Sequence, residues 1–208
     1  MKRPLIIAIG GLSASGKTTL AQDVAEALDA PLLQMDDYYR DIAEGFSPQQ
    51  VAEFNWDRLE MFCLDEWTDH LWQLSHGKAV DVPIYDFTVS RRTGSRRLAG
   101  SNAVVVEGQF VLCHAPALDA ATLRVYVDLD PNEALQRRTL RDAVLRGRSP
   151  ESVHKQWREH VEPAYHNHVL PSREIADLRL GGDGNRLENM REVLRACEHL
   201  EARLTFLA

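Results

Sequence analysis

"GLSASGKT", Gly11 to Thr18, matches the pattern G-x-x-x-x-G-K-[ST] without a gap. Its flanks suit that pattern. Before it, Leu5–Ile9 is a short apolar run closed by Gly10 and Gly11, which reads as a buried strand. After it, Leu20, Val24, Ala27 and Leu28 recur at helical spacing, predicting a helix over 18–28. Glycines let the chain turn tightly, so that successive N–H groups converge on phosphate oxygens. The helix N-terminus adds partial positive charge. Lys17 can reach the β- and γ-phosphates of a nucleotide triphosphate, and the Thr18 hydroxyl can ligate Mg²⁺.

Further runs extend the same alternation. "PLLQM" at 31–35, "AVVV" at 103–106, "LRVYVDL" at 123–129 and the segment near Ile175–Leu180 read as strands. Between them, helices are predicted from Asp57 to about His76, from Pro131 to about Arg146, from Glu151 to about His166, and from about Leu187 onward. Trp67, Leu71 and Leu74 fall on one helical stripe and are assigned to the core. Strands alternating with helices predict an α/β fold with a mostly parallel sheet.

The 208 residues are enough for one domain over 1–208, with 44% hydrophobic and 26% charged residues as in ordinary globular chains. A net charge of −7 argues against a general nucleic-acid binder. Locally the balance reverses: residues 135–148 carry five arginines against one acid, Asp142. Such an island suits a small, localised anion. Cys63, Cys113 and Cys197 are odd in number and widely spaced, which fits a reducing compartment. The basic start has too short an apolar run for a signal peptide, and no run approaches the roughly 20 residues of a membrane span. A cytoplasmic protein without a membrane partner is expected.

The loop alone leaves the fate of the phosphate open. A guanine-reading switch needs an N-K-x-D element, and none of the four lysines, Lys2, Lys17, Lys78 and Lys155, stands in one. A mechanical ATPase usually needs more chain. A small-molecule kinase needs a base, a magnesium-directed acid and mobile arginines. Asp36 and Asp37 in "LQMDDYYR" follow the second strand, where one of them can face the crevice at the sheet's carboxyl edge. Glu107 ends the "VVVE" strand and can contact magnesium. Arg137, Arg138 and Arg141 share a helix face, with Arg146 and Arg148 just beyond, and can form a lid over phosphates. "PIYDFTVSRR" at 83–92 can be a collapsed turn or the wall of a ligand site. His160, His166 and His168 read as surface or helix-end residues.

Taken together, "GLSASGKT", "QMDDYY", "FNWD", "GKAVDVPIYDF", "VVVEGQF", "VDLDPNEALQRRTLRDAVLRGR" and "EHVEPAYHNHVLPSREIADLRLGG" resemble uridine kinases within the phosphoribulokinase and uridine kinase group, over residues 5 to 185 or so. The resemblance implies a P-loop kinase fold with a doubly wound parallel sheet, a small β-hairpin insertion near 78–98 and a helical lid near 135–165. It implies transfer of the ATP γ-phosphate to the 5′-hydroxyl of a nucleoside, with Mg²⁺. ATP is then expected along Gly11, Ser13, Ala14, Ser15, Gly16, Lys17, Thr18 and Thr19, with Arg138 and Arg146 above it. Asp36 matches the catalytic base, acting with Lys17 and Arg141, and stands with Thr18 and Glu107 near the metal. Asp57 matches the acid that holds the ribose, and Tyr85 and Phe87 the rings that line the base pocket, which favours the ligand wall for 83–92. Arg92, Arg138 and Gln156 match acceptor-side residues. Ser90 stands where the family usually has a pyrimidine-bonding histidine, and "NWDRLE" replaces a continuation through H-P-D. The wider group also holds kinases of nicotinamide riboside, pantothenate and sugar phosphates, and a tetramer is common among uridine kinases.

Overall fold

The apolar runs expected as strands pair into one parallel sheet in the computed structural model, which describes residues 4–42 and 46–206. The ends of the expected 1–208 domain, 1–3 and 207–208, lie outside the described residues. The strands are β1 Leu5–Gly11, β2 Leu32–Gln34, β3 Val80–Asp86, β4 Arg91–Leu98, β5 Ala103–Glu107, β6 Leu123–Asp128 and β7 Leu178–Gly181. The helices are α1 Lys17–Ala27, α2 Pro48–Glu53, α3 Leu64–Ser75, α4 Ala115–Ala120, α5 Pro131–Arg146, α6 Pro150–Gln156, α7 Glu162–Ala164 and α8 Arg186–Phe206. The main sheet runs β2-β5-β1-β6-β7, with Ile7 opposite Val105 on one side and Leu123 on the other.

Alternation along β1 feeds two cores. Leu5, Ile7 and Ile9 pack with Leu20 and Val24 of α1 and Val193 of α8. Ile6 and Ala8 face the other way, toward Trp67, Leu71 and Leu74 of α3 and toward Phe110 and Trp157. A sheet covered on both faces explains why its central strands β1 and β5 are buried throughout rather than alternating. β3 and β4 form a separate antiparallel hairpin, with a register shift between Ile84 and Tyr85. It occupies the span expected for an insertion.

Two helix boundaries differ from expectation. The apolar stripe from Asp57 to His76 is not one helix: α3 begins at Leu64. Leu59–Met61 form a tight turn, and Phe62 pairs with Tyr39 in an isolated antiparallel bridge. Cys63 N–H then donates to Tyr38 O, 2.8 Å away. The side chains still face the core, so periodicity alone cannot see that the backbone is paired elsewhere. The helix predicted to end near His166 instead continues to Ile175 through two wide turns, Trp157–Val161 and Tyr165–Val169. Wide turns displace the side-chain period, and Pro163 lies between them without an N–H to donate. Among the described residues no helix is long and apolar enough to cross a membrane, and the three cysteines are free.

Candidate active site

β1 delivers the chain at Gly11 with φ +146°, where an added Cβ would stand 2.4 Å from Val127 O. Only glycine fits there. Gly16, at φ +96°, precedes α1 and leaves its first N–H groups without a side-chain cap. Those donors and the helix dipole are free for an anion. Lys17 is buried at the mouth of this loop.

The loop forms one wall of a cleft. Ser13, Lys17 and Thr18 line the loop wall, and Asp36 and Gln109 follow from the carboxyl ends of β2 and β5. Asp57 and Trp56 come from the turn before α3, and Tyr85, Phe87 and Ser90 from the hairpin. Arg138, Arg141, Arg146 and Arg148 close the far side. The two adjacent acids after β2 separate cleanly. Asp36 faces the cleft, whereas Asp37 pairs with Arg96 of β4 at 2.8 Å. Burial raises the Asp37 carboxyl, with Arg96 opposing the shift.

Glu107 is buried beneath Thr18. It accepts from Thr18 Oγ1 at 3.3 Å and from Gln34 Nε2 at 3.1 Å, both at Oε1. Its other oxygen, Oε2, has no hydrogen-bond partner among the described residues. Burial pushes this carboxyl up, and Lys17 holds it back. A buried carboxylate oxygen without a donor, beside a threonine hydroxyl, fits Mg²⁺. No group of three or more His, Cys, Asp or Glu side chains among the described residues is placed to hold a metal. Magnesium is usually held by few protein groups together with phosphates and water, so the donor set suits that ion.

Three aromatic rings meet on the hairpin side. Tyr85 and Phe87 lie 5.1 Å apart, and Tyr39 lies 5.6 and 5.9 Å from them. Burial pushes the Tyr85 phenol up to about 12, so it is a neutral donor at ordinary pH. Ser90 adopts a left-handed backbone at φ 54°, held by Ile42 N–H donating to its carbonyl. The Arg146 guanidinium stacks over the Phe87 ring at 4.3 Å.

The arginine island gathers on its single acid. Asp142 is completely buried and has Arg141 at 2.8 Å, Arg148 at 3.3 Å, Arg146 at 3.6 Å and Arg138 at 3.7 Å. Burial would raise its carboxyl, but Arg146, Arg141 and Arg138 hold it below the usual range. Burial, with Arg146 alongside, pulls the Arg148 guanidinium down to about 10. Four cations around one carboxylate leave an excess of positive charge on the cleft, which an anionic ligand would relieve.

Not every expected residue reaches the cleft. Arg92 is placed elsewhere: its guanidinium bonds Glu66 of α3 at 2.7 Å, and its N–H donates to Asp41. Gln156 is buried behind the wall and accepts from Arg148 at 2.8 Å. Gly11 and Ala14 shape the loop without lining the cleft. Ser15, Gly16 and Thr19 instead line a second cleft with Arg137, Gly182, Arg186 and Asn189. Arg137 donates to Gly182 O at 2.9 Å, so it parts company with Arg138 and Arg141 despite the shared helix. Tyr39, Gln109 and the residues after β7 are not singled out by the sequence, whereas Trp56 stands in the departure "NWDRLE". The position of Gly182 at a strand's carboxyl end was the available signal. His166 and His168 are exposed, as expected.

Known proteins match both the sequence and this architecture. A model of the phosphoribulokinase / uridine kinase family matches residues 6–182. A uridine kinase of Lactobacillus johnsonii is 34% identical over 182 residues, covering 85% of this chain and 86% of that protein. Uridine-cytidine kinase-like 1 of Mus musculus is 37% identical over 190 residues, covering 88% of this chain. The chain spans only 35% of the length of that mouse relative. Among solved structures, a putative fructose transport system kinase from Silicibacter sp. TM1040 superposes with a TM-score of 0.68 at 18% identity, covering 86% of this chain and 90% of its own. At that identity the likeness speaks for the fold.

Proposed function

The chain belongs to the phosphoribulokinase / uridine kinase family, and we propose that it is an ATP-dependent kinase acting on the 5′-hydroxyl of a uridine- or cytidine-type nucleoside. The observation that carries this reading is the single cleft shared by Lys17, Asp36, Asp57, the hairpin rings and four arginines. A phosphate loop alone would serve any nucleotide binder. An acid facing the loop, with a second buried acid and aromatic rings beyond it, is what phosphorylating a polyhydroxylated, flat-based acceptor requires.

In this reading ATP lies along the loop with its phosphates at Lys17 and Thr18. Its base enters the second cleft, which Ser15, Gly16 and Thr19 line together with the hydrogen-bonded pair Arg137 and Gly182. Thr18 and Glu107, with Asp36 nearby, would hold Mg²⁺, which would supply charge neutralisation for the phosphates. Asp57 accepts from the ribose hydroxyls, and Tyr85 and Phe87 border the base beside Ser90. Asp36 orients the 5′-hydroxyl and takes its proton as the oxygen bonds to the γ-phosphorus and the bond to ADP breaks. Arg138 and Arg141 stabilise charge on the transferred group, with Arg146 and Arg148 alongside. Gln156 acts through Arg148, and Arg92 is assigned to anchoring the hairpin on α3.

A kinase for another hydroxylated metabolite, or a non-catalytic nucleotide binder, is not favoured. The test is a panel of uridine, cytidine, adenosine, nicotinamide riboside and pantothenate with ATP and Mg²⁺, scored by product mass. Uridine or cytidine monophosphate is expected as the main product. A protein that binds ATP and phosphorylates none of the five would overturn the reading.

A further inference from the structure

We propose that Asp142 is a positioning residue for phosphoryl transfer, fixing four arginines on the cleft wall without touching the reactants itself. The proposal rests on the kinase reading above. Asp142 has no exposed surface and does not line the cleft, yet each of the four arginines that do is within 4 Å of it.

Its place on α5 makes this possible. Arg138 and Arg146 lie one turn before and one turn after it, so the spacing R-x-x-x-D-x-x-x-R puts the three on one stripe. Arg141 reaches Oδ1, whereas Arg138, Arg146 and Arg148 share Oδ2. Arg148 is past the helix end. Gly147 turns the chain with φ 62°, and Arg148 N–H donates to the Asp142 carbonyl at 3.1 Å. Backbone and side chain of one residue therefore hold the returning segment.

Three of the arginines have second contacts, which reach four different parts of the site. Arg138 donates to Ser13 Oγ of the phosphate loop at 3.0 Å and stands 3.9 Å from Asp57. Arg146 stacks on Phe87, and Arg148 holds Gln156. One carboxylate thus ties the loop, the second acid, the hairpin ring and α6 to a common reference. Four guanidiniums without it would repel and spread. A buried ion pair is weak evidence for stability, and its best-attested use is to fix one arrangement among several. That use suits a wall of arginines whose value depends on where they stand.

The charge balance gives a sign that a merely structural role does not. Neutralising Asp142 makes the cleft more positive, so ATP should bind at least as well while transfer slows. We would compare the wild type with Asp142→Asn and Asp142→Glu, measuring kcat on the best nucleoside, ATP affinity by calorimetry and thermal melting. Asp142→Asn should lower kcat by about 100-fold, the cost of a misplacement near 1 Å, with ATP affinity equal or higher, and Asp142→Glu by a smaller factor of about tenfold. A kcat within threefold of wild type, or ATP affinity falling in step with kcat, overturns the proposal. If Asp142→Asn does not fold, Asp142→Glu decides by the same two criteria. A wild type that turns over no nucleoside defeats the kinase reading instead. The rate of ATP hydrolysis then replaces transfer, with the same drop expected.

Discussion

The phosphate loop and the acceptor wall face each other across one cleft, yet they are built in opposite ways. The loop is eight consecutive residues whose conformation is set locally by Gly11 and Gly16. The wall draws Asp57, Tyr85, Phe87, Ser90 and Arg146 from three segments far apart in the chain, and only their packing brings them together. A contiguous motif carries its geometry with it. A dispersed wall depends on each segment's anchor: Asp37–Arg96 and Arg92–Glu66 for the hairpin, and Asp142 for the arginines.

If the two sides are separable, mutations should sort by side. The largest effect is expected on the loop. Lys17→Ala should lower kcat/KM for ATP by about 10³-fold, since no other lysine lines the cleft. The KM for nucleoside should move little. An equal rise in both KM values would mean that the two sides are one coupled unit.

On the wall, Asp57→Asn keeps the shape and removes the charge of a buried acid. A hydrogen bond to a charged group contributes about 1.5–3 kcal/mol, so nucleoside KM should rise about 10–100-fold. The KM for ATP should stay within about threefold. Steady-state kinetics with each substrate varied in turn checks both, and a change confined to ATP would place Asp57 on the wrong side.

The smallest effect is expected at Arg92. Its ion pair with Glu66 is partly exposed, and such pairs contribute about 1 kcal/mol or less. Arg92→Ala should lower the melting temperature by about 2–3 °C and leave nucleoside KM within about threefold. A tenfold rise in KM without a change in melting would return Arg92 to the substrate.

The same contrast explains what could be read from sequence. The β1–loop–α1 unit was legible because strand, glycines and helix start are neighbours in the chain. β5 was legible because burial on both faces demands a continuous apolar run, and β6 nearly so. Asp36 could be separated from Asp37 only by family resemblance, since the deciding partner, Arg96, is on the hairpin. Arg92 matches an acceptor-side arginine of the family, and nothing in the sequence says that Glu66 lies beside it. Gln156 matches a residue near the acceptor by family resemblance, and in the structure it accepts from Arg148 of the cleft wall. The start of α3 was misjudged because Phe62 is apolar on schedule but has its backbone paired with Tyr39. Gln109 has no local pattern that marks it.

We propose that Asp36 performs the chemistry at the acceptor while the loop holds ATP independently. The direct measurement is ATP affinity and nucleoside phosphorylation on the same preparation of Asp36→Asn. Phosphorylation should fall by about 10²–10⁴-fold, the usual contribution of a positioned base. ATP affinity should stay within about threefold of wild type. Phosphorylation that survives unchanged, or ATP binding lost along with it, would contradict the claim.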